Sequence, residues 1–173
     1  MHLDELGPRV CILGPSNSGK STLAVAIGRQ RGLPVVHLDQ LFHRPHTDWE
    51  PRPEAEFLAL HEVAIAEPAW VMEGNYTRCL APRLERATGL ILLDVSTLTS
   101  LLRYVRRCWS GRERHGALEG RADSVKWDMV HHICVVTPAN RKRYASLYEG
   151  LRLPKVMLAS PQALRRFYLE EGV

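Results

Sequence analysis

Apolar runs alternate with stretches of helical spacing along this chain. Short apolar runs cover residues 9–13, 34–39, 69–73, 89–95 and 155–159, and each reads as a strand. The run at 89–95 is apolar almost throughout, as a strand buried on both faces is. Helices are expected at residues 20–31, where Gly32 ends the pattern, and at 53–67, with Pro53 in the first turn and Phe57, Leu60 and Ala64 on one face. Others follow at 81–87, with Pro82 in its first turn, and at 99–109. A helical region reaches to about residue 148 and is broken or begun by Pro138. Pro161 opens a last helix carrying Leu164, Phe167 and Tyr168. Between these lie a loop rich in Pro, His and Trp (42–52) and a polar stretch (110–123). Alternating strands and helices imply a parallel sheet covered on both faces. The expected fold is a single α/β domain over residues 1–173, a doubly wound five-stranded parallel sheet, with ligands at the carboxyl ends of the strands.

Composition leaves this picture in place. A chain of 173 residues with 45% hydrophobic and 24% charged content is ordinary for one soluble domain. No apolar run approaches the length of a membrane span. The first residues lack the basic-then-apolar pattern of a signal peptide, so the expected location is the cytoplasm, with no membrane partner. Cys11, Cys79, Cys108 and Cys134 lie far apart, without zinc-ligand or redox spacing, and Cys11 and Cys134 read as reduced core residues. His131 and His132 are adjacent and do not share a helix face, which argues against a metal role. The net charge of +4 fits a nucleic-acid partner, a solvated surface or a polyanionic substrate.

The chemistry starts after the first strand. Gly14-Pro15-Ser16-Asn17-Ser18-Gly19-Lys20-Ser21 has the spacing G-x-x-x-x-G-K-[ST], with a strand before it and, from Thr22 on, a helix after it. Glycines let the backbone wrap a phosphate chain with its N–H groups inward, and the helix N-terminus adds positive potential. Lys20 then reaches the β- and γ-phosphates, and the Ser21 hydroxyl ligates Mg²⁺. Residues 14–22 are therefore the expected site of a nucleoside triphosphate, ATP or GTP, with Mg²⁺.

Acidic residues stand where strands end: Asp39, Glu73 (followed by Gly74-Asn75) and Asp94. Asp39 is placed to orient or deprotonate a hydroxyl acceptor, or to hold Mg²⁺ through water, and Glu73 to do the same. Asp94 reads as a turn residue leading into the next helix. From residue 101 to 121 the chain carries Arg103, Arg106, Arg107, Arg112, Arg114 and Arg121, the first three on one helix face by spacing. Glycines at 111, 116 and 120 loosen the stretch beyond that helix. Such a segment suits a lid, near residues 108–125, that excludes water and sets guanidinium groups on a transferring phosphoryl. The other reading is a solvated basic face. Arg141 and Arg143 are weaker candidates for the same work.

Together, the strand–P-loop–helix unit, the acid after the second strand, Glu73-Gly74 and the arginine-rich helix resemble the nucleoside monophosphate kinase group, adenylate kinase among them. The third strand of adenylate kinases ends in Asp-Gly-Phe-Pro-Arg, where this chain has Glu73-Gly74-Asn75-Tyr76-Thr77-Arg78. A nearer match is the small bacterial topology modulation protein (FlaR-like) family. It is carried by His37-Leu38-Asp39-Gln40-Leu41-Phe42, Trp49 with Pro51 and Pro53, Glu73-Gly74-Asn75-Tyr76, Arg83-Leu84, and Arg103 with Arg106-Arg107, over roughly residues 9–167. That family more often has Asp at position 73 and Trp at position 43. The resemblance implies a Mg²⁺-dependent phosphotransferase acting on a nucleotide or a small hydroxylated acceptor. Lys20, Asp39, Arg103 and Arg107 would be catalytic, and Ser21, Asp39 and Glu73 would lie at the metal. Asp39, Phe42, Glu73, Asn75, Tyr76, Arg78 and Arg83 would line the acceptor. Phe42, Trp49 and Tyr76 either stack on that acceptor or pack as ordinary half-buried rings. Residues 160–162 are where contacts to the nucleotide base are expected. The alternative is a nucleotide-dependent binding or regulatory NTPase, DNA-associated, without a small-molecule acceptor.

Overall fold

A computed structural model of the chain describes residues 2–110 and 137–173, with side chains over residues 2–106 and 140–173. A short 3-10 turn (Leu3–Leu6) precedes β1 (Arg9–Leu13), α1 (Lys20–Arg31), β2 (Val35–His37), α2 (Leu38–Phe42) and α3 (Glu54–Ala66). Then come β3 (Trp70–Glu73), a second 3-10 turn (Thr77–Cys79) running into α4 (Leu80–Arg86), β4 (Gly89–Leu93) and α5 (Thr97–Ser110). The described chain resumes with α6 (Thr137–Gly150), β5 (Lys155–Leu158) and α7 (Pro161–Glu171). The strands form one five-stranded sheet in the order β2-β3-β1-β4-β5, parallel at every pairing. β1 therefore lies at the centre. The connection leaving β1 runs toward β2, and the one leaving β4 runs toward β5. The crevice between them, above their carboxyl ends, is the switch point where ligands bind in such sheets.

Alternation along the strands divides the core in two. Val10 and Ile12 of β1 face one side with Val71, Ile91 and Leu93, and there Leu23, Ala24 and Ile27 of α1 and Leu164 and Phe167 of α7 close over them. Cys11 and Leu13 face the other side with Trp70, Met72, Leu90 and Leu92, covered by Phe57 and Ile65 of α3, Leu80 of α4 and Tyr144 of α6. Helix ends follow the chemistry of their residues. Ser160 caps α7 by accepting from the Ala163 N–H at 3.0 Å, ahead of Pro161 in the first turn. Among the described residues, no helix is long and apolar enough to cross a membrane.

Several boundaries move from the expectation. β2 stops at His37, and Asp39 sits in the first turn of α2 rather than at a strand end. Pro53 stands just before α3, and Pro138 begins α6 as its second residue. The buried face of α3 is Phe57, His61 and Ile65, whereas Leu60 is 37% exposed. The i, i+4, i+8 series won over the one containing Leu60 because the helix turns its histidine, not its leucine, to the sheet. Cys11 and Cys79 are both buried and free, and Cys134 lies outside the described residues, as do His131 and His132.

His61 is fully buried, and neither ring nitrogen has a hydrogen-bond partner among the described residues. Burial, and then the Arg83 charge, push its pKa down from 6.5 to about 4. The unfolded chain therefore takes up a proton that the folded one refuses. Stability contributed by neutral His61 is whole above pH 6.5 and is lost as pH falls toward about 4. Denaturant titrations of wild type and His61→Leu at pH 7 and pH 5 check this: wild type loses more stability on acidification than the variant does, by about 1–2 kcal/mol.

Candidate active site

The loop between β1 and α1 lies hard against the sheet. Gly14 has φ +148°, and a Cβ there would stand 2.5 Å from the Leu93 carbonyl oxygen at the end of β4, so only glycine fits. Asn75, just beyond β3, holds the same residue from the other side. Its Oδ1 accepts from the Gly14 N–H at 3.2 Å and its Nδ2 donates to the Gly14 carbonyl at 2.6 Å. The Asn75 carbonyl in turn accepts from the Tyr144 hydroxyl of α6 at 2.9 Å. Asn75 is thus spent on the loop, a role its position after the third strand did not disclose. Lys20 Nζ donates to the Pro15 carbonyl at 2.9 Å, against the loop. Arg103 of α5 donates to the Ser18 carbonyl at 2.6 Å from across the site.

The two acids have different partners. Glu73 is 4% exposed, and its Oε1 accepts both from the Ser21 hydroxyl at 2.9 Å and from His37 Nδ1 at 2.8 Å. Burial alone would raise the Glu73 pKa. The His37 bond, the Lys20 charge and the Ser21 bond outweigh it and leave the carboxyl below its usual value, hence ionised. Asp39 has a different partner, its Oδ1 accepting from the Tyr76 hydroxyl at 2.9 Å. A hydroxyl and an ionised carboxylate are hard oxygen donors of the kind Mg²⁺ takes. Among the described residues no group of three or more His, Cys, Asp or Glu could hold a metal by itself. Mg²⁺ is held by one or two protein oxygens together with phosphates and water, and Ser21 and Glu73 offer such oxygens. The residues present fit that ion.

Next to Asp39 the aromatic rings pack on one another. Phe42 meets Tyr76 at 5.0 Å and Phe57 at 5.2 Å between centroids, and Phe57 meets Tyr76 at 5.2 Å. His43 lies edge-on to Phe42 at 4.8 Å and to Trp49 at 5.0 Å. Arg52 ties down the loop that carries them by donating to the carbonyls of Gln40 at 3.1 Å and Leu41 at 3.0 Å, and to that of His43.

The two arginines expected at the acceptor have different surroundings. Arg78 is exposed and paired with Glu54 at 2.8 Å. Arg83 is fully buried in the core beneath the sheet, and none of its guanidinium nitrogens has a hydrogen-bond partner among the described residues. It shares its helix face with Leu80, one turn earlier, and that phase carries it inward. Asp94 accepts from Arg141 Nε at 2.6 Å, which brings α6 to the end of β4. Arg106 is exposed. The side chain of Arg107, and Arg112, Arg114 and Arg121 of the expected lid, lie outside the described residues.

A cleft of about 440 Å³ opens beside the start of α1, lined by Arg103, Pro161, Gln162, Leu164, Arg165 and Tyr168. Leu164 and Arg103 come within 3.6 and 3.7 Å of where a Cβ on Gly19 would stand, so the cleft adjoins the loop. Pro161 and Gln162 belong to the segment expected to meet a nucleotide base.

No protein-family model matches the chain, and no curated protein matches it. Among solved structures it is similar to a gluconokinase from Sinorhizobium meliloti 1021, at 17% identity over 96% of this chain and 95% of that one, with a TM-score of 0.51. It is also similar to a shikimate kinase from Bacteroides thetaiotaomicron, at 18% identity over 96% of this chain and 99% of that one, with a TM-score of 0.55. At such identities the likeness is one of fold, and the fold is that of the P-loop kinases: a parallel five-stranded sheet between helices.

Two substitutions separate loop from core. Asn75→Ala removes both bonds to Gly14 and is expected to weaken nucleotide binding about tenfold in a fluorescent-nucleotide titration, roughly the loss of one to two hydrogen bonds. Arg83→Met removes a buried charge that has no hydrogen-bond partner among the described residues. Its melting temperature should equal or exceed that of wild type, with nucleotide affinity unchanged.

Proposed function

We propose that this chain is a Mg²⁺-dependent phosphotransferase that moves the γ-phosphoryl group of ATP, or of GTP, to a nucleotide or a small hydroxylated acceptor. The observation that carries the reading is the different setting of two acids: Glu73 on the Ser21 hydroxyl and Asp39 on Tyr76 beside the aromatic rings. One acid serves the metal side and the other the acceptor side.

In this reading the backbone N–H groups of residues 14–19 and the N-terminus of α1 bind the β- and γ-phosphates. Ser21 would ligate Mg²⁺ directly, and Glu73 would act from beside it. The ion supplies neutralisation of charge on the phosphates. The base enters the cleft between Arg103 and Gln162. Asp39 takes the proton of the acceptor hydroxyl as its oxygen bonds the γ-phosphorus and the bond from that phosphorus to the β–γ bridging oxygen breaks, releasing the diphosphate. The Tyr76 hydroxyl orients Asp39 for this step, and Lys20 and Arg103 neutralise the charge that spreads over the phosphoryl oxygens. The likeness in fold to two kinases supports the reaction class. The motifs shared with the topology modulation protein (FlaR-like) family support a placement there, and Arg107 with the lid arginines completes the proposed charge clamp.

Purified protein incubated with Mg²⁺, γ-labelled ATP and a panel of nucleoside monophosphates, nucleosides and hydroxylated metabolites is expected to yield a labelled product. Lys20→Ala should abolish it. Asp39→Asn should lower kcat by about 10²–10⁴ with nucleotide affinity kept. Phosphate release that no acceptor changes would favour the regulatory NTPase instead.

A further inference from the structure

No site role is expected of His37 from the sequence, yet it completes the innermost polar contact of the site. Parallel pairing sets His37 of β2 directly opposite Glu73 of β3. Neighbouring residues at one level of a parallel sheet project to the same face, so the two side chains meet by register rather than by chance of rotamer. They do so at 2.8 Å, with His37 only 8% exposed and Glu73 4% exposed. The face is that of α1, because Ile12 of β1, paired with Glu73, packs there, and Ser21 reaches the same carboxylate from the first turn of that helix.

Both contacts end on one oxygen. Oε1 of Glu73 accepts from His37 Nδ1 and from the Ser21 hydroxyl, which uses both of its lone-pair positions. Oε2 makes no hydrogen bond among the described residues. A carboxylate held by Ser21 alone could still turn about its terminal torsion, which is broad and soft. A second donor from a buried strand position removes that freedom, and since an ionised carboxylate only accepts, the bond places a proton on His37 Nδ1.

We propose that His37 is a positioning residue for the metal. Through Glu73 it fixes the Ser21 hydroxyl as a ligand and keeps Oε2 available to the ion or its water. The proposal rests on the phosphotransferase reading for its metal–nucleotide ligand, but not for its geometry. Partners at one remove from a metal commonly contribute 10–100-fold to metal affinity.

The probe is Mn²⁺ with ADP, which binds without turnover, and free Mn²⁺ is read by electron paramagnetic resonance. His37→Leu, which keeps the bulk and loses the donor, should weaken Mn²⁺ binding to the protein–ADP complex by about 10–100-fold. His37→Asn, whose amide nitrogen falls near the position of Nδ1, should stay within about threefold of wild type, and ADP affinity in EDTA should be equal in all three. A merely structural role would move ADP affinity and melting temperature together and would not be rescued by asparagine. In metal-free protein, long-range ¹H–¹⁵N spectra should show His37 protonated on Nδ1, with that signal moved by Glu73→Gln. Equal Mn²⁺ affinity in wild type and His37→Leu overturns the proposal, as does asparagine failing alongside leucine or an Nε2–H tautomer. Wild type that binds no Mn²⁺–ADP, while showing the Nδ1–H signal, overturns the phosphotransferase reading and the metal role but leaves the His37–Glu73 contact standing.

Discussion

β1 is hydrogen-bonded in parallel register to β3 on one side and to β4 on the other, and the remaining parts of the site take their places from that pairing. Ile12 lies level with both Glu73 and Ile91. The carboxyl ends of three strands therefore finish together, and the loop leaving β1 has a wall on each side. Leu93 at the end of β4 forms one wall so closely that only glycine can pass at residue 14. Asn75 beyond β3 forms the other and grips the same glycine through two hydrogen bonds. A phosphate-binding loop has to hold its backbone N–H groups in one arrangement before the ligand arrives, because ordering them afterwards would cost binding energy. In the proposed function, packing against β4 and hydrogen bonding to residue 75 would provide that preorganisation.

The same register assembles the polar centre. β2 is a short strand, three residues long, and its last residue is the one opposite Glu73. The chain then turns at once into α2, where Asp39 accepts from the Tyr76 hydroxyl. Two acids of similar chemistry so acquire different surroundings: one buried between a histidine and a serine, one half-buried against aromatic rings. Differences of environment, more than of residue type, are what assign carboxylates distinct roles.

Burial also accounts for the two polar side chains that stand apart from the site. His61 and Arg83 face the core on the α3–α4 side of the sheet without hydrogen bonds among the described residues. Both occupy helix positions in phase with apolar neighbours, Phe57 and Ile65 for one and Leu80 for the other. Helical phase decided their location, and their polarity did not override it. This is why Arg83, which reads as an acceptor contact beside Leu84, is a core residue, and why Leu60 is exposed where His61 is not.

Much of the protein was legible in its residues. Strand and helix periods differ, so the alternation of apolar runs with helical stretches was enough for a five-stranded parallel α/β fold, and the spacing from Gly14 to Ser21 points to the phosphate loop on which the proposed function rests, because both depend on chemistry local to a few residues. The strand-end rule singled out Glu73, which does end β3, and Asp39, which lies two residues beyond the end of β2. It could not tell them apart, and it passed over His37, because nothing along the chain says which residue of β2 stands beside which residue of β3. Register between strands far apart in sequence, the inward phase of α4 and the grip of Asn75 on Gly14 arise only when distant segments pack. Tertiary structure decided those, since each depends on contacts between segments far apart in the chain that carry no mark of one another.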